Sequence, residues 1–455
     1  MSLDKWLALA FSLMILGQAY LVRRYVGTWL FPACLFGLFW FGFTFFPLAV
    51  LFWIPVHPYA IGFIFLCTLA FSLGSVVFDW RSAFERNKEK CDNAGQVYGS
   101  SFLKVVFYAS TLSSLAFLIL NLLLQGFSLT DLFFDLFTSA GAYADLVASE
   151  NFKANMFDQF SIVFAYLGVI LGGFLFPCMP TKMGRRLIVI LSFLPPVVIT
   201  ITQTTKGHLF LSIVFFYAGL LLYRVWVGKL DLFGKISIRS LTLCVVLLIA
   251  VATIAFASRA RYDVDDTGFI IDRLVGSYAS YSCGHIYGFS DWFSFVAGGR
   301  SELTYPHENA TYGFYTFMAL FQLLGSHRTV PGGVFDQYYS YGDLVTGNIY
   351  TMFRGLVLDF GIIGSVLFLL ATGFLLHWAF HSMLRNRSPV FTVAVFVFML
   401  GYFYSSFIVS LLIWSRIYLT FVLLWVVLQV NKWITQRDGR RLKVPRMASE
   451  VAAQT

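Results

Sequence analysis

From residue 162 to residue 179 the chain reads Ile162-Val163-Phe164-Ala165-Tyr166-Leu167-Gly168-Val169-Ile170-Leu171-Gly172-Gly173-Phe174-Leu175-Phe176-Pro177-Cys178-Met179. It carries no charge, and about 20 predominantly apolar residues in a helix span the hydrocarbon core of a bilayer. Working outward, the same kind of run recurs from end to end. Earlier runs lie near Trp6 to Val22, Trp29 to Ile54, Tyr59 to Phe78 and Val105 to Leu124. Later ones lie near Leu187 to Thr202, Leu209 to Tyr223, Leu241 to Ala257, Leu356 to Phe380, Val390 to Leu412 and Ile417 to Trp433. The reading is an all-α polytopic integral membrane protein of about eleven spans, one transmembrane domain over residues 1–455.

Composition agrees. The 455 residues are 58% hydrophobic and 12% charged, against roughly one quarter charged in a soluble domain. The net charge of +9 does not point to nucleic acid, because the basic residues sit in short loops between apolar runs. Cys34, Cys67, Cys91, Cys178, Cys244 and Cys283 lack the close pairings of a zinc site or a disulfide framework. The first run ends in Arg23-Arg24 without a small-residue cleavage site, so it is read as a retained span.

Alternate loops hold roughly 22 of the 32 basic residues, which by the positive-inside rule places those loops and the C-terminus in the cytoplasm. Two segments on the opposite, external side are too long to be plain connections: 126–160, and the larger 259–351, where a bundle would carry function. Within the second, Tyr312 to Leu324 is apolar but about 13 residues long, suited to a re-entrant or interfacial helix.

The large loop is rich in tyrosine, with Trp292 beside it. Such rings offer flat faces to sugars, and they also gather at any membrane interface. The same face carries Lys206, Arg259, Arg261, Arg273, Arg300, Arg328, Arg354 and Arg416, cations where the rule disfavours them. They point to an anionic ligand, or singly to pairing with acids such as Asp263 or Asp272. Candidate proton acceptors are His285, Asp291, His307, Glu308, Asp336 and Asp359. The last lies about one turn inside a span, where a carboxylate needs a partner, for which Arg354 is the candidate. HExxH, P-loop, GxGxxG and GxSxG patterns do not occur with their required context.

The run Gly347-Asn348-Ile349-Tyr350-Thr351-Met352-Phe353-Arg354-Gly355-Leu356-Val357-Leu358-Asp359-Phe360-Gly361-Ile362-Ile363-Gly364 resembles the N-x-Y-T and D-F-G-x-x-G signature of Wzy-type O-antigen polymerases, the oligosaccharide repeat unit polymerase family. Thr204-Thr205-Lys206-Gly207 resembles that family's small-small-Arg/Lys-Gly element, with Lys where Arg is common; charge is kept and the guanidinium fork lost. The resemblance implies a membrane glycosyltransferase of lipopolysaccharide biosynthesis in a bacterial inner membrane, with 126–160 and 259–351 as periplasmic loops and much of the active site in the second. It would transfer a glycan from undecaprenyl diphosphate to a second lipid-linked repeat unit at the periplasmic face, beside a chain-length regulator protein, with neither metal nor cofactor required. On that reading Lys206, Arg273 and Arg354 contact diphosphate. His307 or Glu308 is the base, and Asp359 holds Arg354 or the acceptor. Tyr281, Trp292, Asn348 and Tyr350 line the glycan path, with Asn348 alternatively capping the following helix. An O-antigen ligase that passes the glycan to lipid A core shares this plan. A lipid-linked oligosaccharide flippase is the alternative from another class.

Overall fold

The structure, a computed structural model, describes residues 3–88, 97–128, 155–203, 206–233, 267–299, 303–306, 309–328, 334–342, 344–386 and 389–452, with isolated positions between them. Of Lys206, 267–271, Arg273 and 438–452 it describes the backbone alone. Helices run in the order α1 (Leu3–Val26), α2 (Pro32–Val50), α3 (Pro58–Leu73), α4 (Trp80–Lys88), α5 (Ser101–Leu124), α6 (Met156–Leu175), α7 (Lys182–Gln203) and α8 (Lys206–Trp226). They continue with α9 (Thr267–Ala279), a π turn (Ser280–Gly284), α10 (His285–Val296), α11 (Phe314–Leu323), the hairpin β1 (Tyr339–Tyr341) and β2 (Val345–Gly347), α12 (Thr351–Arg385), α13 (Val390–Ser405) and α14 (Ser415–Ala452).

Among the described residues, eight helices are long and apolar enough to cross a membrane, and α3 and α13 are apolar but shorter. Ten of the eleven expected spans therefore coincide with helices; Leu241 to Ala257 lies largely outside the described residues. Packing depends on small residues, as it must where lipid removes the hydrophobic drive between helices. A Cβ on Gly173 of α6 would stand 2.2 Å from the Phe216 carbonyl of α8, and one on Gly373 of α12 would stand 2.1 Å from the Phe71 carbonyl of α3. α6 is the most buried of the spans.

Polar contacts sort the molecule into two ends. At one, Thr28 donates to the Leu230 carbonyl, Asn87 to the Val225 carbonyl and Ser100 to Asn431. This is the end of Arg23, Arg185, Arg224 and Arg385. At the other, Lys5 is buried and donates to the Leu51 and Ile54 carbonyls at 3.0 and 2.8 Å, and to the Tyr287 hydroxyl at 2.8 Å. A cation here meets the exposed carbonyls that end α2. The same end holds α10, α11 and the hairpin.

The loop helix α10 is anchored inside the bundle rather than laid upon it. Pro47 within α2 has no N–H to give to the Phe43 carbonyl, which a proline-bearing helix leaves open. His285 Nε2 donates to that carbonyl at 2.9 Å. One turn on, Tyr287 donates to the Pro47 and Leu51 carbonyls, and Ser290 accepts from the His57 N–H.

Candidate functional site

The run from Asn348 to Gly361 turns the chain from the loop into the membrane, and each part of it does identifiable work. Asn348 donates to the Phe335 carbonyl at 3.0 Å and Tyr350 to the Gln337 carbonyl at 2.9 Å. These bonds extend the β1–β2 hairpin, paired Tyr339 to Gly347, and fasten segment 335–337 against the start of α12. Asn348 does not cap that helix; Tyr350 occupies the cap position, with no side-chain cap bond.

Arg354 lies one turn into α12 and is wholly buried. Its guanidinium carbon is 4.1 Å from the Phe335 ring centre, 4.2 Å from Tyr350, 5.3 Å from Trp292 and 5.6 Å from Tyr305. Its Nη2 donates to Gln337 Oε1 at 2.5 Å. A cation in a first helical turn opposes the helix dipole; here the ring faces on several sides supply the compensating negative potential. Tyr305 in turn donates to Asp291, which also accepts from the Leu303 N–H. Burial, first of all, pushes the hydroxyls of Tyr305 and Tyr350 above the ordinary phenol range, so both remain protonated donors at neutral pH.

Asp359 is 2% exposed, and its partners are not Arg354. Oδ1 accepts from Thr311 Oγ1 at 2.5 Å and the Tyr315 N–H at 3.0 Å, and Oδ2 from the Thr316 N–H at 2.7 Å and Thr316 Oγ1 at 2.6 Å. Tyr315 and Thr316 are the second and third residues of α11, whose own cap position, Gly313, has no side chain to offer. Asp359 thus caps α11 from another helix, with its charge against the positive end of the α11 dipole. Two residues later α12 breaks at Gly361, φ 70° and ψ 177°, a conformation essentially reserved for glycine.

Backbone strain gathers here. Among the described residues the non-glycine positions with positive φ are Tyr312 (50°), Val334 (74°) and Thr351 (69°). They precede α11, precede Phe335 and follow Tyr350 respectively. Two are β-branched, for which such angles are true outliers, and strain of this kind persists only where the surroundings over-determine it.

The expected site residues divide accordingly. Arg354, Trp292 and Tyr350 come together, but buried: the two rings turn toward the guanidinium rather than toward a glycan path, and Arg354 cannot meet diphosphate where it lies. The pairing of Asp359 with Arg354 gives way to the cap on α11. His285, bonded to the Phe43 carbonyl, and Asp291, bonded to the 303–305 segment, are 1% and 2% exposed, so neither faces an acceptor sugar. Asp336 and Tyr281 are exposed. His307 and Glu308 lie outside the described residues, as do the side chains of Lys206 and Arg273.

A second polar cluster, of which sequence reasoning named only Arg416, forms where α5, α6, α7, α8 and α14 end on the same side. Asp158 Oδ1 accepts from Gln203 Nε2 at 3.0 Å and Asn121 Nδ2 at 3.4 Å. Asn155 donates to Asn121 and accepts the Asp158 N–H. Arg416 Nη1 meets His208 Nε2 at 3.2 Å, and His208 Nδ1 lies 2.8 Å from the Tyr166 hydroxyl. Gln203 and His208 flank the Thr204 to Gly207 element, the signal that could have led to them. The segment between α13 and α14 joins the clusters: Ser406 accepts from the Met352 N–H, Ser410 donates to the Thr316 carbonyl, and Arg416 follows. No family model, no curated protein and no solved structure matches this chain.

Proposed function

We propose that this chain polymerises polyprenyl-diphosphate-linked oligosaccharide repeat units into a surface polysaccharide, at the end of the bundle that carries the 259–351 loop and in the periplasm of a bacterial inner membrane. The supporting observation is that the run resembling the Wzy-type signature is used residue by residue: Asn348 and Tyr350 fasten the hairpin, Arg354 centres the ring cage, Asp359 caps α11 and Gly361 supplies the bend. In the reaction, an acceptor hydroxyl oxygen bonds to the anomeric carbon of the donor as the bond to the diphosphate oxygen breaks. Diphosphate leaves with the electron pair, the hydroxyl proton passes to a base, and cations of this face stabilise the leaving group. The ring cage positions the loop; it does not touch substrate.

The test is the surface-polysaccharide ladder of the producing bacterium lacking the gene, complemented with wild type and with Arg354→Ala at matched membrane levels. Core carrying a single repeat in the deletion strain, restored to a ladder by wild type and not by the variant, is the expected pattern. Loss of every repeat would favour ligase or flippase, and an unchanged ladder would end the reading.

A further inference from the structure

With Arg354 enclosed, the chemistry of this face needs a carboxylate and a cation that still have atoms to offer, and the second cluster has both. Asp158 Oδ1 is held by amides from α5 and α7, whereas Oδ2 accepts from no described residue and is not among the buried atoms without a partner. Arg416 gives Nη1 to His208, while its Nη2 and Nε donate to no described residue and are likewise not buried. Carboxylate and guanidinium are in electrostatic reach of each other, yet farther apart than an ion pair. His208 explains how Arg416 is aimed. Arginine only donates, so Nε2 is the acceptor, and Nδ1 carries the proton toward the Tyr166 hydroxyl. With both nitrogens engaged, His208 is a positioning residue.

We propose that Asp158 and Arg416 are the reacting pair of this face, an assignment that rests on the polymerase reading. Asp158 Oδ2 accepts the proton of the acceptor sugar's hydroxyl as that oxygen bonds to the anomeric carbon. The bond from that carbon to the diphosphate oxygen breaks, and the departing diphosphate takes the electron pair facing Arg416. An acid at the third position of a helix is often only a dipole partner. Here, however, two other helices direct amides to one oxygen of Asp158 and leave the second open, which a dipole partner does not require.

Asp158→Asn separates the two roles. Its carbonyl oxygen still accepts from Gln203 and Asn121, and its backbone N–H still reaches Asn155, so every bond in the structure survives; only the proton acceptor is removed. The probe is the lipid-linked single repeat extracted from the deletion strain, offered to the purified chain in vesicles. Turnover should fall roughly hundredfold or more, the usual contribution of a general base, with an unchanged melting temperature and partial recovery in Asp158→Glu. Arg416→Lys should lower kcat more than it raises KM, because the charge Arg416 faces develops as the diphosphate leaves. Full activity in Asp158→Asn overturns the assignment, and so does inactivity with a lowered melting temperature, because the carboxylate would then be holding helices. If the deletion strain makes a normal ladder, the polymerase reading fails instead; if it makes a single repeat and Asp158→Asn restores the ladder, only this inference does.

Discussion

At the scale of single residues, Asp359 and Thr351 show how differently two motif positions act. Asp359 receives four donors, and hydrogen bonds to a charged group contribute about 1.5–3 kcal/mol each. Asp359→Asn would turn an amide N–H₂ toward donors, so α11 should come free: amide exchange across Phe314–Leu323 is expected to rise at least tenfold while α6 stays protected. Unchanged protection there would mean that the cap is dispensable. Thr351 is the reverse case. A buried threonine replaced by glycine usually destabilises, but its φ of 69° stores about 1–3 kcal/mol in a β-branched residue, so Thr351→Gly should melt no lower than wild type. A drop of several degrees would show that the methyl group's packing outweighs the strain. The depth of Asp359 was legible in the sequence and its partner was not, for a geometric reason. Residues five apart on a helix point about 140° away from each other, so Arg354 and Asp359 face different neighbours, and those neighbours come from distant parts of the loop.

Among elements, the apolar runs made the long helices legible, since length and hydropathy are local properties, but not α4, α9 or α10, which carry no such run. What they could not convey is how the loop helices dock. α10 holds to α2 through the carbonyl that Pro47 leaves open, and only the three-dimensional pairing of Phe43 with His285 reveals it. Pro47→Ala would restore an N–H that competes for the Phe43 carbonyl. His285→Ala in the wild-type background should therefore destabilise more than His285→Ala in the Pro47→Ala background, with a coupling of about 0.5–3 kcal/mol in thermal melts. Additive effects would dismiss the idea that His285 replaces the missing helical bond. The aromatic wealth of the loop was equally visible and equally ambiguous. Trp292, Tyr305 and Tyr350 are neither a sugar platform nor an interface belt, because a buried guanidinium claims their faces. A cation–π cage has no sequence period by which to recognise it.

For the molecule as a whole, the decisive asymmetry is between its two ends. At one, Arg185 and Arg186 lie exposed and Arg224 is half-buried beside Asp231, whereas at the other Lys5, Arg354 and Asp359 are fully buried and Asp158 and Arg416 half-buried in specific polar and aromatic contacts. Charge embedded at the second end is matched there by partners drawn from several helices, as buried charge in a membrane protein must be. The chain also leaves α8 at the first end and re-enters the described structure, in α9, at the second, where Ser280 accepts from the Thr346 N–H of the hairpin. If the exposed-basic end faces the cytoplasm, a cysteine in place of exposed Tyr338 should react with a membrane-impermeant maleimide in intact spheroplasts. One in place of Arg186 should react only after lysis. Cys34, Cys67 and Cys283 are buried and should stay silent in both preparations. The opposite labelling pattern would invert the molecule and put Asp158 and Arg416 in the cytoplasm. A donor whose glycan stands on the outer face would then be beyond their reach, and the polymerase reading would fall with the orientation.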